Sequence, residues 1–457
     1  MKNLLRKLSQ FSLPLSALFL LLTGCDYIER SGENVIPEPD IHGIQAISMP
    51  EYPEEPVFKT DEERWEANRA KRRNIPESFG AAYEKFALET ASGLFADSDQ
   101  NMIYSPLSLY YALAMAAEGA SGATREEMLV LLGYADMKAL AEDVKMYFES
   151  VYHVPNEENN KVTEWGQYAS ESRYTLSIAN SLWADDGIML KKDFLDRASD
   201  FYYSEIHQGD LQSDETLKAM SEWVQKKTNG LLAPTEEKSS ADTVLKLLNT
   251  VYFYDEWLDR FDKEKTEADT FFCADGTDVT VDFMNRIMGS HGFRKGENFT
   301  SSSLSLKNGS VDVYLPDDGT DVHDLIDTPE KIDALLNRSG DQMMGQVTWQ
   351  IPKFTYGSSL SLVDILKELG VEKAFAQDAD FSNMTDQSPM FISSVKQDAH
   401  IGIDENGVEA AAFTEISWVG AAMPQGKAEM ILNRPFFYVI RNNGNIVFMG
   451  ICENPEI

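Results

Sequence analysis

Cysteine is scarce in this chain: three in 457 residues, at positions 25, 273 and 452. A disulfide-stapled scaffold is thereby excluded, and no CxxC pair offers a zinc or redox motif. Cys273 and Cys452 could pair, but their spacing does not require it, and buried free thiols are the ordinary state. Histidine is also rare, with six residues, none in HExxH or another paired metal-ligand spacing. There is no GxSxG elbow, no phosphate-cradling glycine loop and no GxGxxG after a strand. Neither catalysis nor a metal or cofactor is expected. Close carboxylate pairs carry little weight, because 75 acids produce them by chance. Basic residues are the other deficit. Forty Lys and Arg against 75 Asp and Glu leave a net charge of −35, which excludes nucleic acid as a partner and favours solubility.

What is present begins with an address. Lys2, Arg6 and Lys7 precede the apolar run "FSLPLSALFLLL", too short and too early to span a membrane. It ends in Leu22-Thr23-Gly24-Cys25. This resembles the bacterial lipobox, which implies removal of residues 1–24 and a lipid on Cys25. From Cys25 to about residue 75 the chain reads as a tether. Prolines at 37, 39, 50, 53 and 56 disfavour regular structure, and the acidic and basic residues around them favour solvent.

The folded part, 76–457, opens with helical spacing in "ESFGAAYEKFALETASGLFA" and "SPLSLYYALAMAAEGA", the second started by Ser105 or Pro106. A further helix, "TREEMLVLLGY", has Thr124 and Glu127 at capping-box spacing. "YTLSIANSLWA", "VLKLLNTVYFY" and "VTWQIPKFTY" read as strands. Helices come first and strands crowd the second half. The class is α+β with antiparallel or mixed sheets.

One stretch does not fit a plain domain: "DENGVEAAAFTEISWVGAAMPQG", Asp404 to Gly426. It is apolar and small, yet stands where a loop belongs. Alternate residues Val408, Ala410, Ala412, Thr414, Ile416 and Trp418 are uncharged. The other parity, Glu409, Ala411, Phe413, Glu415, Ser417 and Val419, carries both acids. No proline interrupts residues 405 to 423. That is the pattern of a strand with one buried face, able to enter the middle of a sheet.

Several segments, in this order, resemble the serpins, suicide inhibitors of serine proteases. They are "NMIYSPLSLYYALAMAAEGASGAT", "TLSIANSLWA", "WVQKKTNGLL", "LLNTVYFYDEWLDRFDKEKTEADTFF", "IPKFTYGSSLSLVDILKELGVEKAFAQDADFSNMT", "FISSVKQDAHIGIDENGVEAAAFTEI" and "NRPFFYVI". The resemblance runs from about residue 79 to the C-terminus. It implies the serpin fold, with three β-sheets, about eight to nine helices and an exposed reactive-centre loop near 405–426. The hinge of that loop would be Glu405, Gly407, Val408, Glu409, Ala410, Ala411 and Ala412. Ser105, Ser108 and Asn249 would form the polar shutter where the main sheet opens, together with Gln397, where many relatives carry histidine. Trp257 would stand at the breach, where the loop first enters.

Counting sixteen positions on from Glu405, as the family pattern implies, puts the reactive bond at Ala421–Ala422, with Trp418 and Val419 as alternative cut sites. A methyl-sized side chain suits elastase-like or subtilisin-like proteases. The expected protein is a monomeric, exported, lipid-anchored inhibitor of the bacterial envelope, at the outer membrane or cell surface. It would hold its protease as a covalent acyl-enzyme. A non-inhibitory serpin-like binding protein of the envelope is the alternative.

Overall fold

The computed structural model describes residues 44–73, 75–96, 98–154, 174–232, 244–337, 340–408 and 426–456. Among them are nine α-helices: α1 (Asp61–Arg73), α2 (Glu77–Ala96), α3 (Pro106–Gly119), α4 (Gly122–Leu131), α5 (Met137–Val151), α6 (Lys192–Tyr202), α7 (Asp214–Lys227), α8 (Pro329–Leu336) and α9 (Val363–Glu368). Helix α3 is buried at every position, as expected of a helix that is apolar all round. Ser105 is its N-cap and Pro106 its first residue. The helix packs behind the main sheet, against two of that sheet's strands.

The main sheet has seven strands: β1 (Gln45–Ser48), β4 (Ser204–Gln208), β3 (Thr175–Ala184), β5 (Leu245–Glu256), β13 (Gly407–Val408), β12 (Val395–Ile403) and β11 (Phe354–Ser361), in that spatial order. On its other face lies α7, whose Met220 and Trp223 share a buried cluster with Trp183 and Leu248 of the sheet. The remaining strands form a nine-stranded path: β14 (Lys427–Ile431), β10 (Asp341–Pro352), β7 (Asp278–Lys295), β8 (Phe299–Ser305), β9 (Gly309–Pro316), β15 (Phe436–Asn442), β16 (Asn445–Cys452) and β2 (Met102–Tyr104), with β6 (Glu267–Phe272) beside β7. Only the last three residues of β7, Phe293–Lys295, pair with β8. This long strand, paired with β10 as far as Lys295, therefore links β10 to β8 within the nine-stranded path. Its pairing with β10 shifts register between Gly345 and Val347. A bulge of this kind lets a strand bend.

Three sequence expectations need correction. The capping box at Thr124 and Glu127 is not made. α4 starts earlier, at Gly122, and Ser121 gives no side-chain cap. Thr124 Oγ1 instead accepts from the Asp380 amide at 2.9 Å, and Glu127 accepts from the amides of Glu372 and Lys373. Tertiary partners outbid the local ones. The segment "VTWQIPKFTY" is two strands divided at Lys353, because the chain passes there from one sheet to the other.

The tether expectation does not hold for residues 44–73. β1 adds an antiparallel edge strand beside β4, pairing Gln45 with Gln208 and Ala46 with His207. The Tyr52 ring stacks on Tyr152 and Tyr203, at 5.4 and 6.1 Å between centroids, with Lys227 Nζ 5.0 Å above it. α1 lies along α5. The prolines at 50, 53 and 56 follow the short strand rather than interrupt it, so they do not oppose it.

Candidate functional site: the hinge, the breach and the shutter

The site is the seam between β5 and β12. These neighbours pair directly, and in parallel, at only three positions: Val395–Leu247, Lys396–Leu248 and Gln397–Asn249. At the far end of the seam, β13 lies between them. Val408 pairs with Asp255 on one side and Ile403 on the other, antiparallel to both. Gly407 and Val408 of the apolar loop segment are thus already strand residues of the main sheet.

A tight turn delivers them. Asp404 Oδ1 accepts from the amides of Asn406, at 2.8 Å, and Gly407, at 3.3 Å. The Asp404 amide donates to the Gly407 carbonyl. An aspartate that caps its own turn is ordinary local chemistry. Gly407 is required by close approach: a Cβ there would stand 2.4 Å from the Asp255 carbonyl oxygen.

Trp257, the residue expected at the breach, lies against this turn. Its indole Nε1 donates to the Asp404 carbonyl at 2.8 Å, and its amide donates to the Asn406 carbonyl at 3.0 Å. The ring meets Phe261 edge-on, 5.9 Å between centroids. Glu405 is buried beside it. Thr266 Oγ1 donates to its carboxylate at 2.9 Å, and Lys353 Nζ lies 3.2 Å away. Burial alone would raise the Glu405 pKa, but its own backbone amide, Thr266 and Lys353 outweigh that and hold it below the usual range. Just inside, Glu256 is buried between Arg260 and Lys307.

Asp255 is the neighbour that faces Val408. Burial pushes its pKa up to about 7, against the opposing hydrogen bonds of Asn308 and Glu256 and the charge of Lys307. The folded state therefore binds a proton that the unfolded state releases near pH 4, so this group's contribution to stability falls as pH rises from about 4 to about 7. We expect Asp255→Asn to remove that slope. Melting of wild type and variant compared at pH about 5 and about 8 should show the difference between them changing with pH. A constant difference would contradict the assignment.

Halfway down the seam stand the residues expected to form the shutter. Gln397 makes a reciprocal pair with the Ser105 main chain: the Ser105 amide donates to Oε1 at 2.7 Å, and Nε2 donates to the Ser105 carbonyl at 2.9 Å. Ser105 Oγ donates to the Val447 carbonyl at 2.8 Å and accepts from the Ser108 amide. Glutamine therefore meets the donor and acceptor needs of Ser105 without an imidazole. Asn249 Nδ2 donates to Asn180 Oδ1, and Asn180 Nδ2 donates to the Tyr202 carbonyl. Asn180, Asn249 and Gln397 stand in one register row across β3, β5 and β12. Ser108 is buried with its hydroxyl unpartnered among the described residues.

The structure thus brings Ser105, Asn249 and Gln397 to one locus, with Ser108 in the first turn of α3, and Trp257, Glu405, Gly407 and Val408 to another. The hinge residues Glu409, Ala410, Ala411 and Ala412, the bond Ala421–Ala422, the alternatives Trp418 and Val419, and Cys25 lie outside the described residues. Sequence reasoning missed Asn180, Lys353 and Asp255. Asn180 carried a signal, an amide inside the otherwise apolar "SIANSLWA". Lys353 and Asp255 carried none, because their roles arise from strands distant in sequence.

A mixed main sheet with a two-residue strand in the seam between β5 and β12, covered on one face by α7 and backed on the other by the buried α3, defines the class of fold. A family model described as "Serpin (serine protease inhibitor)" matches residues 81–455, and the chain belongs to that family. It is 29% identical to Serpin-Z1B of Triticum aestivum over 81% of this chain and 95% of the relative. It is 28% identical to neuroserpin of Mus musculus over 78% and 87%. Among solved structures, the thermophilic serpin Tengpin in its native state superposes with a TM-score of 0.70 at 29% identity, covering 83% of this chain and 95% of that one. Thyroxine-binding globulin in complex with thyroxine gives 0.68 at 22% identity, which bears on the fold alone.

Proposed function

We propose that this serpin inhibits serine proteases as a suicide substrate, holding the enzyme as an acyl-enzyme while the cut loop enters the main sheet. The observation that carries this reading is β13: Gly407 and Val408 are seated between β5 and β12, and the alternating loop sequence follows them. Register supplies a check. Both β13 pairings with β5 sum to the same number, 407 + 256 = 408 + 255 = 663. Extended down the seam, Thr414 would face Asn249, since 663 − 249 = 414, and Ile416 would face Leu247. Trp418 would face Leu245, where β5 begins. The uncharged parity would thus run the full length of β5, and Ala421 would clear the sheet by three residues.

That supports Ala421–Ala422 as the reactive bond and proteases with small primary pockets, elastase-like or subtilisin-like, as targets. Incubation with either enzyme should give a band that survives a denaturing gel. Mass spectrometry of the released peptide should begin at Ala422. Inhibition of trypsin alone, with no cut between Trp418 and Met423, would contradict the assignment. The non-inhibitory reading predicts cleavage with no covalent band.

We place the protein in the bacterial envelope, anchored through a lipid on Cys25. Cys25→Ala should move it from the membrane fraction to the soluble fraction of a Gram-negative host. Unchanged membrane association would refute the anchor.

A further inference from the structure

Strand registers determine from which end of the domain the N-terminal chain departs. β5 has Glu256 at the hinge end, beside Gly407, and Leu245 at the other. β3 is antiparallel to β5 and sets Ala184 opposite Leu245. β4 runs parallel to β3 and sets Gln208 opposite Ala184. β1 is antiparallel to β4 and sets Gln45 opposite Gln208. Gln45, Gln208, Ala184 and Leu245 therefore form one row at the pole away from the hinge. Eleven residue steps of β5 separate the row from Glu256, about 36 Å at strand rise. β1 lies outside residues 81–455, the part matched by the family model. The exit point is therefore set by a strand that lies outside the matched span.

We propose that the domain is tethered by the pole opposite its bait loop, so that on a membrane the loop faces outward and insertion carries the captured protease to the membrane-side pole. This rests on the loop-insertion reading and on acylation of Cys25. The same register that places Trp418 against Leu245 brings Ala421, and the enzyme esterified to it, to the row that contains Gln45. The protease must then fit between the domain and the bilayer. Twenty residues separate Cys25 from Gln45 (45 − 25), which can span at most about 70 Å. A serine protease of roughly 230 residues is about 45 Å across, so the tether is long enough to admit it. The pole exposes Asp186, Asp210 and Asp386, and Lys191 is paired with Asp386. It is not drawn onto anionic headgroups, which keeps that space open.

Two measurements on the full-length acylated protein test this. Both use vesicles of phosphatidylethanolamine and phosphatidylglycerol. In the first, one dye is attached at Asp186→Cys or at Lys263→Cys, on the exposed short helical turn that precedes the breach residue Thr266. Cys273 and Cys452 are buried and will not compete for the label. Energy transfer to a headgroup-labelled lipid should be stronger from position 186. Equal or reversed transfer overturns the orientation, whether or not the protein inhibits anything.

The second deletes residues 26–41, leaving His42 to Ile44 between the lipid and β1. On vesicles the deletion should lose the covalent complex with subtilisin while loop cleavage continues. In solution, with Cys25→Ala added, the same deletion should form complex as the undeleted chain does. Undiminished complex on vesicles overturns delivery to the membrane side. Absence of complex in solution from the undeleted chain sinks the inhibitory reading and delivery with it, and the first measurement still decides orientation.

Discussion

Val408→Arg is expected to abolish the proposed inhibition and leave the protein a substrate. Val408 is 3% exposed, seated between Asp255 and Ile403, and belongs to the main hydrophobic core. The register sum of 663 makes it the leading residue of the buried parity. An arginine there must lose its hydration before the strand can advance. Asp255 faces the same side, but burial pushes its pKa up to about 7, so in an assay at pH about 6 it is largely protonated and is no ready counter-ion. An uncompensated buried charge costs several kcal/mol. About 3 kcal/mol on the insertion step would slow it roughly a hundredfold. Deacylation would then win, and the gel would show cut chain with the covalent band lost. Loop cleavage at the wild-type rate would show that the variant is folded. Val408→Ala, which adds no charge, should keep the band. Equal stoichiometry of complex in Val408→Arg and wild type would contradict the parity assignment.

The second large effect needs no trapped enzyme. Nicking the loop with a protease that then departs should raise the melting temperature. On the proposed mechanism, extending β13 down the seam in the uncut chain would require Ala421 to be carried along it, so the intact form would be held short of its most stable arrangement, a kinetic state. If the cut loop inserts as proposed, Ile416 and Trp418 would be buried, contributing together about 3–6 kcal/mol by area. New ladder hydrogen bonds join β5 and β12 to the inserted strand. At roughly 2 °C per kcal/mol for a large domain, a rise of about 10 °C is expected. A cut chain that melts at or below the intact one would show that the loop does not insert. The three shutter pairs, Val395–Leu247 to Gln397–Asn249, must separate for this to happen. Asn249 and Gln397 would then face Thr414, whose hydroxyl can serve both amides.

Much of this was legible in the amino-acid order, because local chemistry dictates it. Ser105-Pro106 starts a helix because a serine cap and a proline at the first turn satisfy its free amides. The alternation of residues 408–418 has the pattern of a strand with one buried face, since side chains alternate with period two wherever a strand lies, and of these residues the described part shows Val408 as strand and buried. Gly407 follows from the turn that Asp404 caps. What only the tertiary structure decided is which distant groups meet. Thr124 gave up a helix cap for the Asp380 amide because the chain brought that amide within reach. Lys353 pairs with Glu405 across the sheet, and the Asp255 pKa is raised by burial, against the hydrogen bonds of Asn308, only because the strands close around it. Residues 45–48 read as tether because an edge strand of four residues has no strong pattern of its own. Its hydrogen bonds come from β4, and a sequence records donors and acceptors but not where their partners will stand.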